Sequence, residues 1–587
     1  MTLESLQDSI SKRSVVGGFL ILLCLMRFVN LGFGEIQEWD EALYAVRAKS
    51  IVQFGDWLDQ TNHAVGGLYS ASHPPLFIWL TAVTYKLFGI TNFTTRLWSA
   101  IFGCGIILLV YFIGKHLLNR IAGLLAAVLL GTIPIFNFYS RQGQLDVPFL
   151  FFFTASVYFY IVFLDRNQVK WLVFSGLTFG LSLASKSISG ILAVPIVLAT
   201  SLLYQHTPVR DRKRLWLALL AYVIMGVVIV LPWYNYMEWQ PHPGLTNGFF
   251  VSHVLGSVQE VAAGLGTNVK QLGYFYFLNQ LLVRFPLSGL AFACMILMPV
   301  RLMNKKKYSH NLNRIDLLAS IWFLIVFVVY SLLRTKVISY VLPMLIPLSL
   351  LSASLLERLQ RGEFGRRASI VLLEVVGVAL VWSLSDEARN SLKNFFNLAA
   401  SLGSNSATLF SVVGSVLLSI IVVVVLIAVW RSESLRARIT GYLILMVLTV
   451  SVLFLIHQVT FVNEADFIDG GEALAKKVSA LPYGEIIYLY TPHYTGGMNP
   501  QLAYYLDGTN CGWKPDKQFV DISRAKTDSL TLFIETKADK GKSLIIIEKN
   551  HADRPEKSDE LLKVERIASS QYGRILETKR YILYGKS

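Results

Sequence analysis

The run LFSVVGSVLLSIIVVVVLIAVW, residues 409–430, contains no charged side chain. Wound as a helix, a run of this length crosses a hydrocarbon core of about 30 Å, with every backbone N–H and C=O satisfied inside the segment. Similar runs recur along the chain's 587 residues. Charged residues make up 16% of it, against about a quarter in an average soluble domain. The fold class is therefore a polytopic α-helical membrane protein.

A net charge of +15 would also suit a nucleic-acid binder, but its distribution excludes that class. The basic residues lie in short clusters between apolar runs: Lys12/Arg13, Lys115/Arg120, Arg166/Lys170, and the stretches 210–214, 301–307, 357–367 and 431–438. Short loops rich in Lys and Arg stay on the cytoplasmic side, against anionic lipid. With these clusters inside, spans are expected near 14–33, 96–114, 121–139, 147–164, 171–187, 189–205, 215–235, 279–300, 316–333, 337–356, 368–385, 408–430 and 439–457. That makes about thirteen transmembrane helices. The first lacks a small-x-small cleavage pattern and reads as an uncleaved span. Cys24, Cys104 and Cys294 fall in apolar segments, only Cys511 in a polar one, and no CxxC occurs. No disulfide framework or thiolate metal site is read from that pattern.

The division expected is a transmembrane domain over 1–459, with outer loops 34–95 and 236–278, and an extracytoplasmic α/β domain over 460–587. The piece PPLFIWLTAVTYKLFGI (74–90) is too short for a comfortable span and opens on two prolines, which suit a helix start. It reads as a helix lying at the interface, anchored by Trp79 and Tyr85. Within the C-terminal part, 485–491, 543–549 and 580–586 read as strands rich in β-branched and aromatic residues.

The chemistry candidates converge on the outer side. Asp40 and Glu41 follow the first span, and Asp146 follows the loop SRQGQLD. Carboxylates beside a membrane-level cavity can deprotonate an acceptor hydroxyl, stabilise a positive sugar carbon or hold a divalent cation. They can also be ordinary solvated loop acids. Between Glu41 and Phe54 the pattern is helical, stopping at Gly55. Leu43, Val46, Ile51 and Val52 can face the membrane there while Arg47 and Lys49 stay wet. A small-residue turn then leads through His73 into the two prolines.

This order resembles the polyprenyl-phosphate-dependent glycosyltransferases of the GT-C superfamily, in particular the lipid A aminoarabinose transferases and the protein O-mannosyltransferases. The resemblance rests on the D-E pair at Asp40 and Glu41, the G-D-W at 55–57, and the P-P-L after His73. It continues through RQGQLDVP with Asp146, GLSLASKSISGILAVP with Lys186, YFYFLNQLLVRFP with Arg284, and SLLRTKVISYVLPMLIPLSLL with Lys336, Tyr340 and Pro343. It runs nearly end to end. One departure stands out: His73 occupies the place where the aminoarabinose transferases carry a Lys that contacts the lipid phosphate. The resemblance therefore implies a lipid-phosphate site without specifying aminoarabinose as donor or lipid A as acceptor.

What it implies is a sugar transfer on the outer face of a bacterial inner membrane, from a polyprenyl-phosphate carrier to a lipid, glycan or protein acceptor. Asp40, Asp146 and Glu41 become the catalytic candidates. His73, Arg284, Lys336, Arg141 and Lys186 become candidates to hold the phosphate, where negative charge grows as the sugar leaves. Asp40 is the general base if the acceptor is a hydroxyl; a phosphate acceptor arrives ionised and needs none. Asp40, Asp146 and His73 are also candidate ligands for a divalent ion, so metal dependence stays open at this stage. The rival reading is a transporter or flippase for a lipid-linked sugar, which favours broken, polar spans at mid-membrane.

Overall fold

The computed structural model describes residues 13–38, 40–65, 73–203, 212–239, 273–284, 288–303, 310–333, 336–360, 470–481, 485–490, 499–506, 517–521, 534, 543–549 and 558–585. The expected spans near 368–385, 408–430 and 439–457, most of the loop 236–278, and Cys511 lie outside these residues.

The chain opens with α1 (Arg13–Leu25), α2 (Asp40–Phe54), α3 (Leu76–Phe88), α4 (Asn92–Leu117), α5 (Arg120–Gly131) and α6 (Pro134–Tyr139). Then come α7 (Asp146–Arg166), α8 (Val169–Ile191), α9 (Ala193–Leu203), α10 (Arg212–Trp239), α11 (Tyr276–Arg284), α12 (Ser288–Met303), α13 (His310–Leu332) and, after a single 3₁₀ turn at Ile338–Val341, α14 (Leu342–Gln360). Among the described residues five helices are long and apolar enough to cross a bilayer: α4, α7, α10, most of α13, and α14 with its leading turn. This is a polytopic helical membrane bundle.

Local chemistry sets the ends. Thr91 caps α4, its hydroxyl accepting from the Thr94 amide at 3.1 Å, while the Thr94 hydroxyl accepts from the Thr91 amide. The stretch expected as one span at 121–139 is two helices, because Pro134 has no N–H to continue the ladder and starts α6 instead. The first expected span, 14–33, is helical only to Leu25 and then winds through hydrogen-bonded turns. At Gly123 a Cβ would meet the Tyr111 carbonyl at 2.4 Å, so glycine is what lets α4 and α5 cross at backbone contact.

α3 is 13 residues, about 20 Å at 1.5 Å per residue, short of a bilayer core. Its tip, Leu87 and Phe88, is exposed as an interfacial helix requires. Tyr85 is not the lipid anchor expected: it is buried, with its hydroxyl 2.5 Å from Thr95 Oγ1. Trp79 is half-buried and turns its indole N–H to the Trp57 carbonyl. α2 departs further from expectation. Instead of lying wet on one side, it is buried on every face from Glu41 to Ile51, Arg47 and Lys49 included. The tertiary fold sandwiches it between α3 and the C-terminal part of the chain, which periodicity alone does not reveal.

That C-terminal part comprises α15 (Gly471–Ser479), β1 (Glu485–Tyr490), α16 (Pro500–Tyr505), β2 (Lys517–Asp521), β3 (Ser543–Glu548), α17 (Ser558–Gln571), β4 (Gly573–Glu577) and β5 (Tyr581–Gly585). The sheet order is β2-β1-β3-β5-β4, with β2, β1 and β3 parallel and the last two pairings antiparallel. Strand alternation sorts its two faces. Ile486, Tyr488, Leu544, Ile546, Tyr581 and Leu583 pack into one core with α2 and α3. Ile487, Leu489, Ile545, Ile547, Ile582 and Tyr584 pack with Val564 and Ala568 of α17. The sequence reading missed β2 and β4, the two edge strands; β4 is half-exposed and lacks a continuous apolar signal.

Candidate active site

Four carboxylates crowd the exit from the first helix: Glu35, Glu38, Asp40 and Glu41. The structure gives them different work. Glu41 is fully buried and accepts four hydrogen bonds: from Arg96 Nε at 2.8 Å and Nη2 at 3.1 Å, from the Gln37 amide at 2.7 Å, and from the Gly143 amide at 2.8 Å. Its lone pairs are spent on tying α2, the start of α4 and the 140–146 loop together. Expected beside Asp40 as a catalytic acid, Glu41 has the geometry of a positioning group. Glu35 and Glu38 are likewise engaged, by residues of the C-terminal part.

Asp40 begins α2 and keeps solvent contact. Among the described residues its carboxylate has no hydrogen-bond or ion-pair partner. Protein packed around it, with Asp146 nearby, pushes its carboxyl above the ordinary carboxylate range, and Lys186 offsets part of the rise. A carboxylate that water reaches, close enough to a second acid and a cation to feel both charges, is free to take a proton.

Asp146 is the first residue of α7, and its Oδ1 accepts from Lys186 Nζ at 2.9 Å. Lys186 sits where α8 breaks, at φ −149° and ψ 84°, so the kink carries its side chain toward Asp146. Its ammonium also lies 5.3 Å from the centre of the Tyr340 ring. Tyr340 in turn stacks on Tyr330 at 4.7 Å and approaches Phe277 of α11 at 6.3 Å. The 3₁₀ turn, α8, α11 and α13 therefore meet around one ring. Tyr44, one turn along α2 from Asp40, faces the same charges: burial and the Asp40 carboxylate raise its phenol well above its usual range. Sequence reasoning passed over Tyr44, which lies within the apparently amphipathic stretch.

The remaining candidates are placed less uniformly. Lys336 is half-buried, donates to the Leu333 carbonyl at 2.8 Å, and lies 5.9 Å from the Tyr274 ring; burial lowers its pKa. Arg284 ends α11, and its side chain lies outside what the structure describes. His73 precedes α3, with its carbonyl held at 3.0 Å by Arg47 Nη2. Arg47 also engages Gln60 Oε1 from Nη2 at 3.0 Å, so α2 organises the turn that delivers His73. Arg141 donates to the Met26 carbonyl at 3.2 Å; burial, Arg96 and Arg27 together push its pKa down to about 9. Of the guanidiniums acting on it, Arg96 already has its counter-charge in Glu41.

Among the described residues no three His, Cys, Asp or Glu side chains gather in one place, and Asp146 is paired with the Lys186 ammonium.

At the opposite end of the bundle Arg358 pairs with Asp316 at 2.7 Å, both fully buried, and Asp165 bridges His116 and Arg314. These pairs join α4, α7, α13 and α14 at the far end of the bundle from Asp40.

Residues 72–234 match the family model described as dolichyl-phosphate-mannose-protein mannosyltransferase. An undecaprenyl phosphate-α-4-amino-4-deoxy-L-arabinose arabinosyl transferase of Serratia proteamaculans is 25% identical over 59% of this chain and 60% of its own length. An uncharacterised protein of Aquifex aeolicus is 22% identical over 65% of this chain and 70% of its own. Among solved structures, ArnT from Cupriavidus metallidurans bound to undecaprenyl phosphate superposes with a TM-score of 0.67, 19% identity and 98% coverage of both chains. An Archaeoglobus fulgidus oligosaccharyltransferase follows at 0.51 and 13% identity, over 98% of this chain and 75% of that one. The fold is thus that of the Cupriavidus metallidurans ArnT structure, and in sequence the chain is similar to aminoarabinose transferases and, over residues 72–234, to the protein mannosyltransferase family model.

Proposed function

We propose that this protein is an integral-membrane glycosyltransferase that takes a sugar from a polyprenyl-phosphate carrier and passes it to a lipid, glycan or protein acceptor. The observation carrying this reading is Asp40: a water-accessible carboxylate without a partner among the described residues, set beside the Asp146–Lys186 pair. The likeness in sequence and fold to transferases that use such carriers supports it. The transporter alternative has no comparable support.

In this reading the acceptor hydroxyl gives its proton to Asp40 as its oxygen attacks sugar C1. The bond from C1 to the phosphate oxygen breaks, and polyprenyl phosphate leaves with the electron pair. Charge grows on that phosphate, so cations aimed at it accelerate departure. Lys186, Lys336, Arg284, His73 and Arg141 are the proposed groups. Asp146 holds Lys186 in place, and Glu41 holds the loops. About thirteen spans, with the site and an α/β domain over 460–587 facing the periplasm of a bacterial inner membrane, complete the proposal.

The test incubates purified protein with membrane lipid extract from its source and follows the lipids by mass spectrometry. Wild type should consume a polyprenyl-phosphate sugar and release polyprenyl phosphate, and Asp40→Asn should not. If neither protein binds or consumes a prenyl-linked sugar, the transferase reading falls and transport becomes the leading idea.

A further inference from the structure

The segment carrying Asp40 is stitched to the C-terminal part at one residue after another. Glu35 accepts from the Gly470 amide at 3.1 Å and the Glu472 amide at 2.9 Å, at the start of α15, where an anion suits the helix N-terminus. The Ile36 amide donates to the Tyr505 hydroxyl at 2.7 Å, and the Ile36 carbonyl accepts from Gln501 Nε2 at 2.8 Å. Glu38 receives both terminal nitrogens of Arg580 and, at 3.0 Å, Asn499 Nδ2. Arg580 Nε reaches Glu548 Oε1 at 2.9 Å, and Asn499 reaches the same oxygen at 3.1 Å. The Tyr488 hydroxyl donates to the other Glu548 oxygen.

Arg580 is thus a buried fork, 5% exposed, between a carboxylate of the sheet and one two residues before Asp40. A buried ion pair is a poor source of stability, since apolar residues of similar volume do as well or better. What a two-nitrogen fork supplies is direction and distance. Glu35, Ile36, Glu38 and Glu41 are all anchored, and Asp40 is the acid among them that faces solvent.

We propose that Arg580 is a positioning residue: acting through Glu38, it sets where α2 begins and therefore where the Asp40 carboxylate stands. This rests on the transferase reading for what Asp40 does. A base displaced by about 1 Å can slow a reaction on the order of 100-fold while leaving substrate binding intact.

The full-length protein and its Arg580→Met, Arg580→Lys, Glu38→Gln and Glu38→Gln/Arg580→Met variants would be assayed on the lipid-linked sugar consumed by wild type. Arg580→Met and Glu38→Gln should each lower kcat by at least about 10-fold with the donor KM within about 2-fold. The double variant should be no worse than the poorer single one, because the Glu38–Arg580 pair is what both remove. Arg580→Lys, which keeps the charge but not the fork, should fall between. A raised KM with unchanged kcat, or additive losses, would overturn the assignment. In parallel, backbone hydrogen exchange over 38–46 should speed up in Arg580→Met; unchanged exchange there sinks the clamp outright. If wild type consumes no lipid-linked sugar, the transferase reading fails by itself, and exchange alone decides whether Arg580 orders this segment.

Discussion

Lys186 Nζ meets Asp146 Oδ1 at 2.9 Å from a break in its own helix. A regular α8 would aim this side chain elsewhere, so the kink and the pair are one feature. Both partners are largely shielded, and removing one leaves the other charge uncompensated. Lys186→Met is expected to lower stability by about 3–5 kcal/mol and Lys186→Met/Asp146→Leu to recover most of it. Neither variant should transfer sugar. Thermal unfolding in detergent reads the first claim; an unchanged midpoint for Lys186→Met would show that the pair does not form.

The pH dependence follows from Asp40. Its folded-state pKa is raised, mainly by burial and then by Asp146. The ionised fraction needed by a base therefore falls as pH drops through the raised value, while an ordinary Asp near 3.9 would still be charged. For a hydroxyl acceptor, kcat/KM should show an acid limb at higher pH than an ordinary Asp would give, and Asp40→Asn should lower kcat by about 10²–10⁴-fold. A profile without an acid limb, together with an intact rate in Asp40→Asn, would remove Asp40 from the mechanism.

Glu41 differs from its neighbour, although the two are adjacent in sequence. Glu41→Gln leaves the Arg96 guanidinium buried without its counter-charge, which costs about 3–5 kcal/mol. The expected signature is a lower unfolding midpoint whose activity loss is largely recovered by cooling. Full stability with abolished turnover would instead restore Glu41 to the catalytic group.

Gly143 tests the same junction from the other side. A Cβ there would meet Thr95 Cγ2 at 2.8 Å and the Thr95 carbonyl at 2.9 Å. Gly143→Ala should destabilise by about 1–3 kcal/mol, because the backbone of α4 cannot move aside as a side-chain tip can. A neutral effect on the unfolding midpoint would mean that the loop sits further from α4.

Lys49 donates to the carbonyls of Tyr504 at 2.9 Å and Leu506 at 3.3 Å. Lys49→Met strands two buried acceptors at the join between α2 and the C-terminal part, with a loss of about 1–3 kcal/mol for each group left unmade. Backbone hydrogen exchange over 500–506 should become faster if that join loosens, and stay at the wild-type rate if Lys49 is solvated instead.

What the residues alone determined is the part governed by period and by solvent. Apolar run length dictated the membrane helices, and β-branched clusters located the three central strands. The order of Asp40, His73, Asp146, Lys186 and Lys336 along the chain carried a resemblance to the polyprenyl-phosphate-dependent glycosyltransferases. Tertiary structure decided what each acid touches. Glu35, Glu38 and Glu41 are chemically equivalent in a linear reading, and Arg47 and Lys49 look like wet residues of an amphipathic helix. Their partners, at Arg580, Arg96, Gln60 and Tyr504, are brought in by long-range packing, from up to more than five hundred residues away in the case of Glu38 and Arg580. A side chain's charge state and freedom depend on what surrounds it, and Asp40 differs from Glu35, Glu38 and Glu41 because those neighbours are bonded elsewhere.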